Sequence, residues 1–417
     1  MLALYKVFEQ ARMRRRYVTR LPRLRIFLAL IALGWLTACG GTNAINGPTC
    51  DALETSGLSV TTEDTQRAIQ SSSEMNVMRS DIADVMSGPP IASPRTSITA
   101  PKNILAISTG GQNGAFSSGF LAGWSARGGR PVFDIVTGAS AGALVAPVAF
   151  LGENFDPLLR RNTGIDNRDI FRRRGTIPAL FSTSLFDTSP FQRRVEELYD
   201  NTEFWNALTE QTTENRLLLI GATDVETGRF RRFDFARLLL ADKSVEDKKK
   251  CLVEATLASA AIPGLFPPRR INGSLFVDAG VRQSIFLDEI IEELDRSRSR
   301  ADVYLLINST LTFAASDVET SLLPLIDRNL EILTDEGMRA SILRVLDRAQ
   351  FRGWTLRAAA ITEMPNCAQE DGRNEPVFSA CVTEKLYEQG RALALSEDPW
   401  LSASELRDAL EEGRTVN

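Results

Sequence analysis

Ser140 and Asp278 are the two residues of this sequence whose types and surroundings best suit chemistry. Ser140 stands at the centre of Gly138-Ala139-Ser140-Ala141-Gly142, after the mostly apolar stretch 133–136 and before small residues that favour a helix. A strand, a tight turn flanked by glycines and a helix form the context of a nucleophile elbow, which holds a serine on strained backbone. The motif is short, and a tight turn that merely closes a buried strand explains it as well. The partners of the serine decide between these interpretations.

One absence restricts those partners, because the sequence contains no histidine. A Ser-His-Asp triad is excluded, and so is a metal site built on imidazole. A nucleophilic Ser140 then needs a lysine or a carboxylate that takes its proton directly. Asp278 is the predicted carboxylate, since it follows the short strand 274–277 and precedes the small turn Ala279-Gly280. The reaction requires no metal and no cofactor.

A glycine-rich loop, 109–116, follows a predicted buried strand over 103–108. Such a loop between a strand and a helix gathers backbone N–H groups that bind an anion. A nucleotide phosphate, a dinucleotide pyrophosphate and an oxyanion are the three options. The loop lacks the Gly-Lys-Ser/Thr ending of a P-loop and the G-x-G-x-x-G of a Rossmann fingerprint. The sequence therefore predicts an oxyanion hole, which stabilises the negative oxygen formed in acyl transfer.

The N-terminal residues 1–38 predict an export signal rather than part of the core. Six arginines between residues 14 and 25 precede the apolar run 26–36, and small residues follow it. This pattern is typical of a secretory signal, and the run is short for a bilayer span. Its ending, Leu36-Thr37-Ala38-Cys39-Gly40, resembles the lipobox of bacterial lipoproteins. That resemblance implies lipidation of Cys39 and an envelope location, with Gly40 favouring the outer membrane; an uncleaved anchor or a buried apolar stretch are the alternatives.

The remainder divides into three predicted parts. Residues 39–101 are rich in Ser, Thr, Asn and Pro, which predicts a flexible tether. Residues 102–312 predict the catalytic domain, with helical cover near 152–215, and residues 313–417 predict a mainly helical extension packed on it. Within that extension, residues 354–361 predict a strand and residues 384–410 a helix.

The net charge and the cysteine content restrict the binding partners and the cellular compartment of the protein. Residues 1–38 hold eight of the 48 basic side chains and one of the 53 acidic ones, so the rest of the chain carries a formal net charge of −12. Nucleic acid is an unsuitable partner for such a surface. Lipidation of one of the five cysteines leaves four, which suits an oxidising periplasm. Cys367 and Cys381 are close enough in sequence to close a short loop, and their pairing stays open.

Four sequence blocks together resemble the patatin-like phospholipases. The blocks are Ser108 to Gly114 with Phe116, Gly138 to Gly142, Ala258 to Pro268, and Val277 to Gly280. The resemblance covers roughly residues 102–308. It implies a three-layer α/β fold, with a central, mostly parallel sheet flanked by helices, and hydrolysis of lipid acyl esters by a Ser-Asp dyad.

Carried over by position, the resemblance implies that Ser140 is the nucleophile and Asp278 the base. It implies an oxyanion hole formed by Gly110, Gly111 and Gln112. Supporting positions of the motifs are Gly138, Gly142, Asn113, Gly114 and Gly280. The sequence departs from the family pattern at several positions: Thr109 replaces the first loop glycine, Asn113 a basic residue, Ala279-Gly280 the G-G/A after the aspartate, Ser284 an Asn and Phe286 a Pro. The backbone N–H of Asn113 is expected to remain available.

The predicted function is hydrolysis of a phospholipid or another acyl ester through an acyl-enzyme. The activity would be of phospholipase A, lysophospholipase or carboxylesterase type, in a protein held at the membrane by Cys39. Two alternatives are a non-catalytic lipoprotein that binds lipid or a partner on the same fold, and an acyltransferase. The sequence predicts no oligomeric state and no acyl-chain or headgroup preference.

Overall fold

The computed structural model describes residues 45–53, 102–174, 182–213, 216–287, 300–315, 318, 320–367 and 377–415. The strands are β1 (Lys102–Ile107), β2 (Ile135–Ala139), β3 (Arg172–Arg173), β4 (Phe186–Asp187), β5 (Leu217–Asp224), β6 (Arg229–Asp234), β7 (Arg269–Ile271), β8 (Ser274–Val277), β9 (Ala301–Ile307), β10 (Thr355–Ala360) and β11 (Leu401–Ser402). The α-helices are α1 (Gly114–Arg127), α2 (Ala141–Leu151), α3 (Asn167–Ile170), α4 (Ser189–Asp200), α5 (Thr202–Gln211), α6 (Phe235–Leu240), α7 (Val245–Ser259), α8 (Leu322–Arg352), α9 (Ala380–Leu395) and α10 (Ala403–Thr415). Three segments form 3₁₀ helices: Gly111–Asn113, Glu153–Asn162 and Ala279–Val281.

A mixed sheet lies at the centre of the described part of the chain. Its order is β11-β10-β9-β1-β2-β5-β8-β7, and β6 also pairs with β5. The five strands β10, β9, β1, β2 and β5 are parallel, whereas the pairs at both edges are antiparallel. Parallel neighbours need long crossovers, which the helices supply, and antiparallel neighbours need only short turns.

Both faces of the sheet are covered, which the apolar strands require. In β1, Leu105 and Ile107 belong to one hydrophobic cluster, whereas Ile104 and Ala106 belong to the other. Neighbouring residues of a strand point to opposite faces, so this alternation places one cluster on each side. Helices α1, α2, α7 and α9 contribute to the first cluster, and α8 and α10 to the second. The prediction of a three-layer α/β fold with a mostly parallel sheet is confirmed.

Strand β5 sets the positions of β2 and β8. Residues 219–224 of β5 pair with β6 along one edge, so β2 and β8 must share the other edge. Strand β2 runs parallel to β5 and ends at Ala139 opposite Gly221, whereas β8 runs antiparallel and ends at Val277 opposite Thr223. The two strands approach each other end to end along β5. The residues that follow them are therefore brought together near Ala222.

The C-terminal region is part of the same architecture. It is largely helical where it is described, but β10 extends the parallel sheet beside β9, and β11 pairs with β10. Helix α9 packs closely on α1, where a Cβ on Gly119 would meet the carbonyl of Tyr387 and one on Gly390 would meet that of Phe116. Small residues at a crossing let two helix backbones approach. Residues beyond 312 thus complete the sheet instead of only covering it.

Residues 45–53 correct the prediction of an unbroken tether over 39–101. Cys50 forms a disulfide with Cys251 of α7, and Cys50 and Leu53 are both buried. The backbone N–H of Cys50 donates to the side chain of Asn272, and the N–H of Asn272 donates to the carbonyl of Pro48. This segment is fixed to the domain by a covalent bond and by burial. A second disulfide joins Cys367 and Cys381.

The predicted signal segment, Cys39 and most of the predicted tether lie outside the described residues. Among the helices that the structure describes, none combines the length and the apolar character needed to cross a bilayer.

Candidate active site

Ser140 lies in a sharp turn between β2 and α2, with φ 51° and ψ −114°. A positive φ is uncommon for a residue with a side chain and marks local strain. The flanking glycines make the turn fit, because a Cβ on Gly138 would meet the carbonyl of Gly142, and one on Gly142 would meet that of Ile107. Ser140 occupies the N-cap position of α2 without capping it through its hydroxyl. Its side chain is therefore available for another partner.

That partner is Asp278. The hydroxyl of Ser140 donates to Oδ2 of Asp278 at 2.6 Å, and the two residues are 5 % and 7 % exposed. The end-to-end approach of β2 and β8 along β5 produces this contact. The structure thus brings together the two residues that the sequence singled out, at a distance short enough for direct proton transfer.

The surroundings of Asp278 make its carboxylate a stronger base than a solvated one. Burial raises the pKa of Asp278 to about 6, whereas the hydrogen bonds from Ser140 and from the N–H of Gly280 lower it. The Gly280 bond, to Oδ1, measures 2.7 Å and holds the carboxylate in place. A pKa near neutrality suits a general base, because the group is ionised at pH 7 and still binds a proton well.

The backbone around the dyad is fixed from α7 and β5. The N–H of Ser140 donates to Oγ of Ser259 at 2.9 Å, and the N–H of Asp278 donates to the carbonyl of Ala261 at 2.9 Å. The hydroxyl of Thr223 donates to the carbonyl of Asp278 at 2.9 Å. Sequence reasoning missed Ser259 and Thr223. Ser259 did lie inside a recognised motif block, but its hydroxyl had no assigned role.

The glycine loop forms the opposite wall. Gly111 and Gln112 line the same cavity as Ser140, and the backbone N–H groups of these two residues have no protein acceptor within the described chain. Gly110 does not line the cavity; a Cβ there would lie 2.8 Å from the carbonyl oxygen of Asn308. The backbone N–H of Asn113 donates to the carbonyl of Gly110 at 3.0 Å. The expectation that the Asn113 N–H stays available is wrong, because it closes the turn of the loop.

A cavity of about 550 Å³ opens beside Ser140 and is partly open to solvent. Its walls are mostly apolar, with Leu144 and Val145 from α2, Phe191 from α4, and Ile262 and Phe266 after α7. Its mostly apolar lining with a few polar groups is typical of a site for a small organic group. The combination of a serine, a buried carboxylate, unpaired N–H groups and an apolar cavity suits cleavage of an ester that carries an apolar acyl chain.

Residues 105–291 match the family model described as patatin-like phospholipase. These residues form a patatin-like phospholipase domain. The resemblance that the four sequence blocks indicated is confirmed, and with it a domain of a family of lipid hydrolases. Among solved structures, VipD from Legionella pneumophila is similar with 13% identity and a TM-score of 0.37, over 80% of this chain and 73% of that chain. No curated protein sequence matches the chain.

Departures from the patatin-like pattern have visible consequences in the domain. The side chain of Asn113 does not line the cavity beside Ser140, and its Nδ2 lies 3.4 Å from the carbonyl oxygen of Asn308. The carbonyl of Ser284 accepts the N–H of Thr109 at 2.8 Å, whereas its buried hydroxyl has no partner within the described residues. The carbonyl of Phe286 accepts the hydroxyl of Thr137 at 3.0 Å. Main-chain contacts therefore hold the patatin-like loop at these substituted positions.

Asn308, which follows β9, is a further residue that sequence reasoning missed. Its side chain is 1 % exposed, donates to the carbonyl of Ser108 at 3.0 Å and accepts the N–H of Ser117 at 3.2 Å. Its own N–H donates to Oγ of Ser108 at 2.9 Å. These bonds join the end of β1 to the start of α1, across the glycine loop. The only sequence signal was a polar residue at the end of an apolar strand.

The helical cover over the site is present between residues 152 and 213 where the structure describes it. The sequence of this cover predicts apolar walls from Phe181, Phe186 and Phe191, and Phe191 does line the cavity. Phe186 instead stacks on Phe171, with ring centroids 4.0 Å apart, and belongs to the core. Phe181 lies outside the described residues.

Proposed function

We propose that this chain hydrolyses acyl esters of lipids with Ser140 as the nucleophile and Asp278 as the general base. The observation that carries the proposal is the 2.6 Å hydrogen bond from the Ser140 hydroxyl to a buried carboxylate whose pKa lies at about 6. It is supported by the match of residues 105–291 to the patatin-like phospholipase family and by the apolar cavity beside the serine. The activity is of phospholipase A, lysophospholipase or carboxylesterase type.

The first half of the reaction forms an acyl-enzyme. Oδ2 of Asp278 takes the hydroxyl proton while Oγ of Ser140 attacks the carbonyl carbon of the ester. The carbonyl electrons move to oxygen, and the N–H groups of Gly111 and Gln112 donate to that oxyanion; one such donor typically contributes roughly 3 kcal/mol. The intermediate then collapses, the C–O bond to the alcohol breaks, and protonated Asp278 gives its proton to the leaving oxygen.

The second half returns the enzyme to its starting state. A water molecule takes the place of the departed alcohol, and Asp278 accepts one of its protons as its oxygen attacks the acyl carbon. The oxyanion forms again beside the glycine loop. Ser140 leaves as the acyl–oxygen bond breaks and recovers its proton from Asp278, which releases a carboxylic acid. One carboxylate therefore performs all four proton transfers without an imidazole.

A fluorophosphonate probe tests this proposal against a non-catalytic lipid-binding role. We expect covalent labelling of the full chain at Ser140, found by peptide mass spectrometry, and no labelling of Ser140→Ala. The same samples are assayed for release of fatty acid from phospholipids and of 4-nitrophenol from 4-nitrophenyl esters. Absence of both labelling and ester cleavage, in a protein that still binds lipid, would favour the non-catalytic role.

An acyltransferase differs only in the acceptor of the second half-reaction. Adding alcohols to the assay and analysing the products separates the two activities. Hydrolysis predicts that free fatty acid remains the main product at modest alcohol concentrations. A predominance of new esters would assign the chain to acyl transfer while leaving the dyad intact.

We further propose that the chain is an exported lipoprotein anchored through Cys39 to the outer membrane. The two disulfides support an oxidising compartment, and the lipobox-like segment supports lipidation. Cys50 lies only 11 positions after Cys39, so the anchor would keep the domain within roughly 40 Å of the bilayer. Metabolic labelling with palmitate tests this: we expect label on the full chain and none on Cys39→Ala, and membrane fractionation locates the product.

A further inference from the structure

A second cavity, of about 460 Å³, adjoins the one beside Ser140. Both cavities share walls formed by Leu144, Ile170 and Phe191. The second also reaches Val148 of α2 and Leu198 of α4. Helix α2 starts after Ser140 and rises about 1.5 Å per residue, so this cavity lies roughly 6 to 12 Å along the helix from the serine. The apolar space at the serine therefore continues along α2 and α4.

Two arginines, Arg161 and Arg194, line the second cavity and do not line the first. The guanidinium of Arg161 forms an ion pair with Glu197 at 2.9 Å, at an exposed position. Arg194 donates to the backbone carbonyl of Arg161, and within the described residues it has no carboxylate within ion-pair distance. Two basic groups thus line a mostly apolar space that also contains Asn162, and within the described residues only Arg161 forms an ion pair.

The charges that surround Arg194 come from three elements. Asp169 of α3 and Glu197 of its own helix attract it, whereas Arg161 repels it. Burial lowers the pKa of the Arg194 guanidinium, because part of its hydration is lost without an ion pair in return. An arginine keeps its proton under these conditions. A partly desolvated cation in a cavity wall gains free energy from an anion that enters the cavity.

We propose that Arg194, with Arg161 beside it, forms an anion subsite that selects acyl esters carrying a phosphate or carboxylate group. This inference rests on the proposed function and specifies its substrate class. The reach fits, since five or six bonds separate the phosphorus of a glycerophospholipid from its ester carbonyls, roughly 6–8 Å. A carboxylate at the far end of a medium-length acyl chain spans the same cavity. The shared chemistry is an anionic oxygen group bound by a guanidinium.

Binding of octyl phosphate and of 1-octanol to the full chain tests the subsite without any catalysis. Arg194→Gln removes the charge, and Arg193→Gln is the matched control, because Arg193 is the exposed neighbour on the same helix and lines neither cavity. By isothermal titration we expect Arg194→Gln to bind octyl phosphate at least about tenfold more weakly and octanol unchanged. Arg193→Gln should bind both ligands as the unsubstituted chain does.

Two results would overturn the subsite: equal octyl phosphate affinity in Arg194→Gln and the unsubstituted chain, or equal losses for the phosphate and the alcohol. Neither ligand contains an ester, so the result holds even if the chain hydrolyses nothing, and failure of the proposed function is recognised separately. Octanol binding also reports whether the substituted chain still folds around the cavity.

Kinetics with paired substrates identifies the source of the anion. One pair is a 1-acylglycerol and the corresponding 1-acylglycerol 3-phosphate; the other is 4-nitrophenyl octanoate and mono-4-nitrophenyl suberate. If the natural substrate carries a phosphate, Arg194→Gln should raise the KM of the acylglycerol phosphate about tenfold; if it carries a carboxylate, the same should hold for the suberate ester. In either case kcat and the kinetics of the neutral ester should stay unchanged. Equal kinetics of Arg194→Gln and the unsubstituted chain on both anionic esters would contradict the subsite.

Discussion

The two walls on either side of Ser140 are held by different parts of the chain. Asp278 is placed by the pairing of β8 with β5 and by bonds to Ala261, Thr223 and Gly280, all inside the matched residues 105–291. The glycine loop is instead fixed by Asn308 and, through the side chain of Gln112, by the N–H of Ser379 at 2.8 Å. Both lie beyond residue 291. The proposed base is thus held within the patatin-like domain, whereas the proposed oxyanion side also has contacts to the C-terminal region.

Asp278→Asn should give the largest loss of activity, because it replaces the proposed base. The amide can still donate to Ser140 and accept from Gly280, so the geometry remains, but it cannot take a proton. We expect kcat to fall about a thousandfold or more, roughly 4 kcal/mol of barrier, with little change in KM. Turnover of a 4-nitrophenyl ester measures it. A variant that keeps its rate would remove the proton acceptor from the mechanism.

Asn308→Ala tests the glycine loop, because Asn308 contacts this loop and lies beyond the matched residues 105–291. It removes the donor to the buried carbonyl of Ser108, which costs about 1–3 kcal/mol, and it removes the side-chain acceptor of the Ser117 N–H at the start of α1. The loop then loses its fixed position, and we expect kcat to fall roughly 10- to 100-fold with a smaller change in KM. Asn329→Ala on the exposed face of α8 is the control. If Asn308→Ala lowers thermal stability yet keeps the full kcat below its melting temperature, the loop does not depend on the C-terminal region.

The strands were predictable because apolar runs mark buried strands. Ser140 and Asp278 were predictable as the candidate pair because their residue types and immediate neighbours in the sequence indicate it. What escaped prediction depends on contacts far apart in sequence. Cys50 pairs with Cys251 across 201 residues, and the role of Asn308 requires knowing that β9 lies beside β1. The predicted helix over 384–410 is wrong in its middle. The structure ends α9 at Leu395 and starts α10 at Ala403, with Pro399 between them, since proline cannot donate a backbone hydrogen bond.

The pH dependence of turnover also tests Asp278 as the base, and the expected change in rate is smaller. Asp278 acts as a base only when ionised, and burial raises its pKa to about 6. The value of kcat/KM should therefore fall on the acid side of pH 6 and be about tenfold lower at pH 5 than at pH 8. Initial rates between pH 4.5 and 8.5 measure this limb. A flat profile down to pH 4.5 would show that Asp278 titrates like a solvated carboxylate.

A further effect of the same burial concerns the free energy of unfolding. The pKa of Asp278 is about 6 in the folded chain and 3.8 as a reference, so the folded state holds the proton more tightly. Its stabilising contribution is complete below pH 3.8 and is lost as the pH rises through about 6, a change on the order of 3 kcal/mol. Asp278→Asn carries no such charge. Its free energy of unfolding should exceed that of the unsubstituted chain at pH 8, and the difference should shrink toward pH 4.

Ser140→Ala provides a matched test of that stability change. The Ser140 hydroxyl donates to Asp278 and lowers its pKa, so removing it should raise the pKa and move the loss of stability to higher pH. Denaturant unfolding of the three chains between pH 4 and 8 measures both shifts. If the curves of Ser140→Ala and the unsubstituted chain run parallel throughout, the hydrogen bond does not affect the ionisation of Asp278. The pKa of Asp278 would then be set by burial and by the hydrogen bond from the Gly280 N–H.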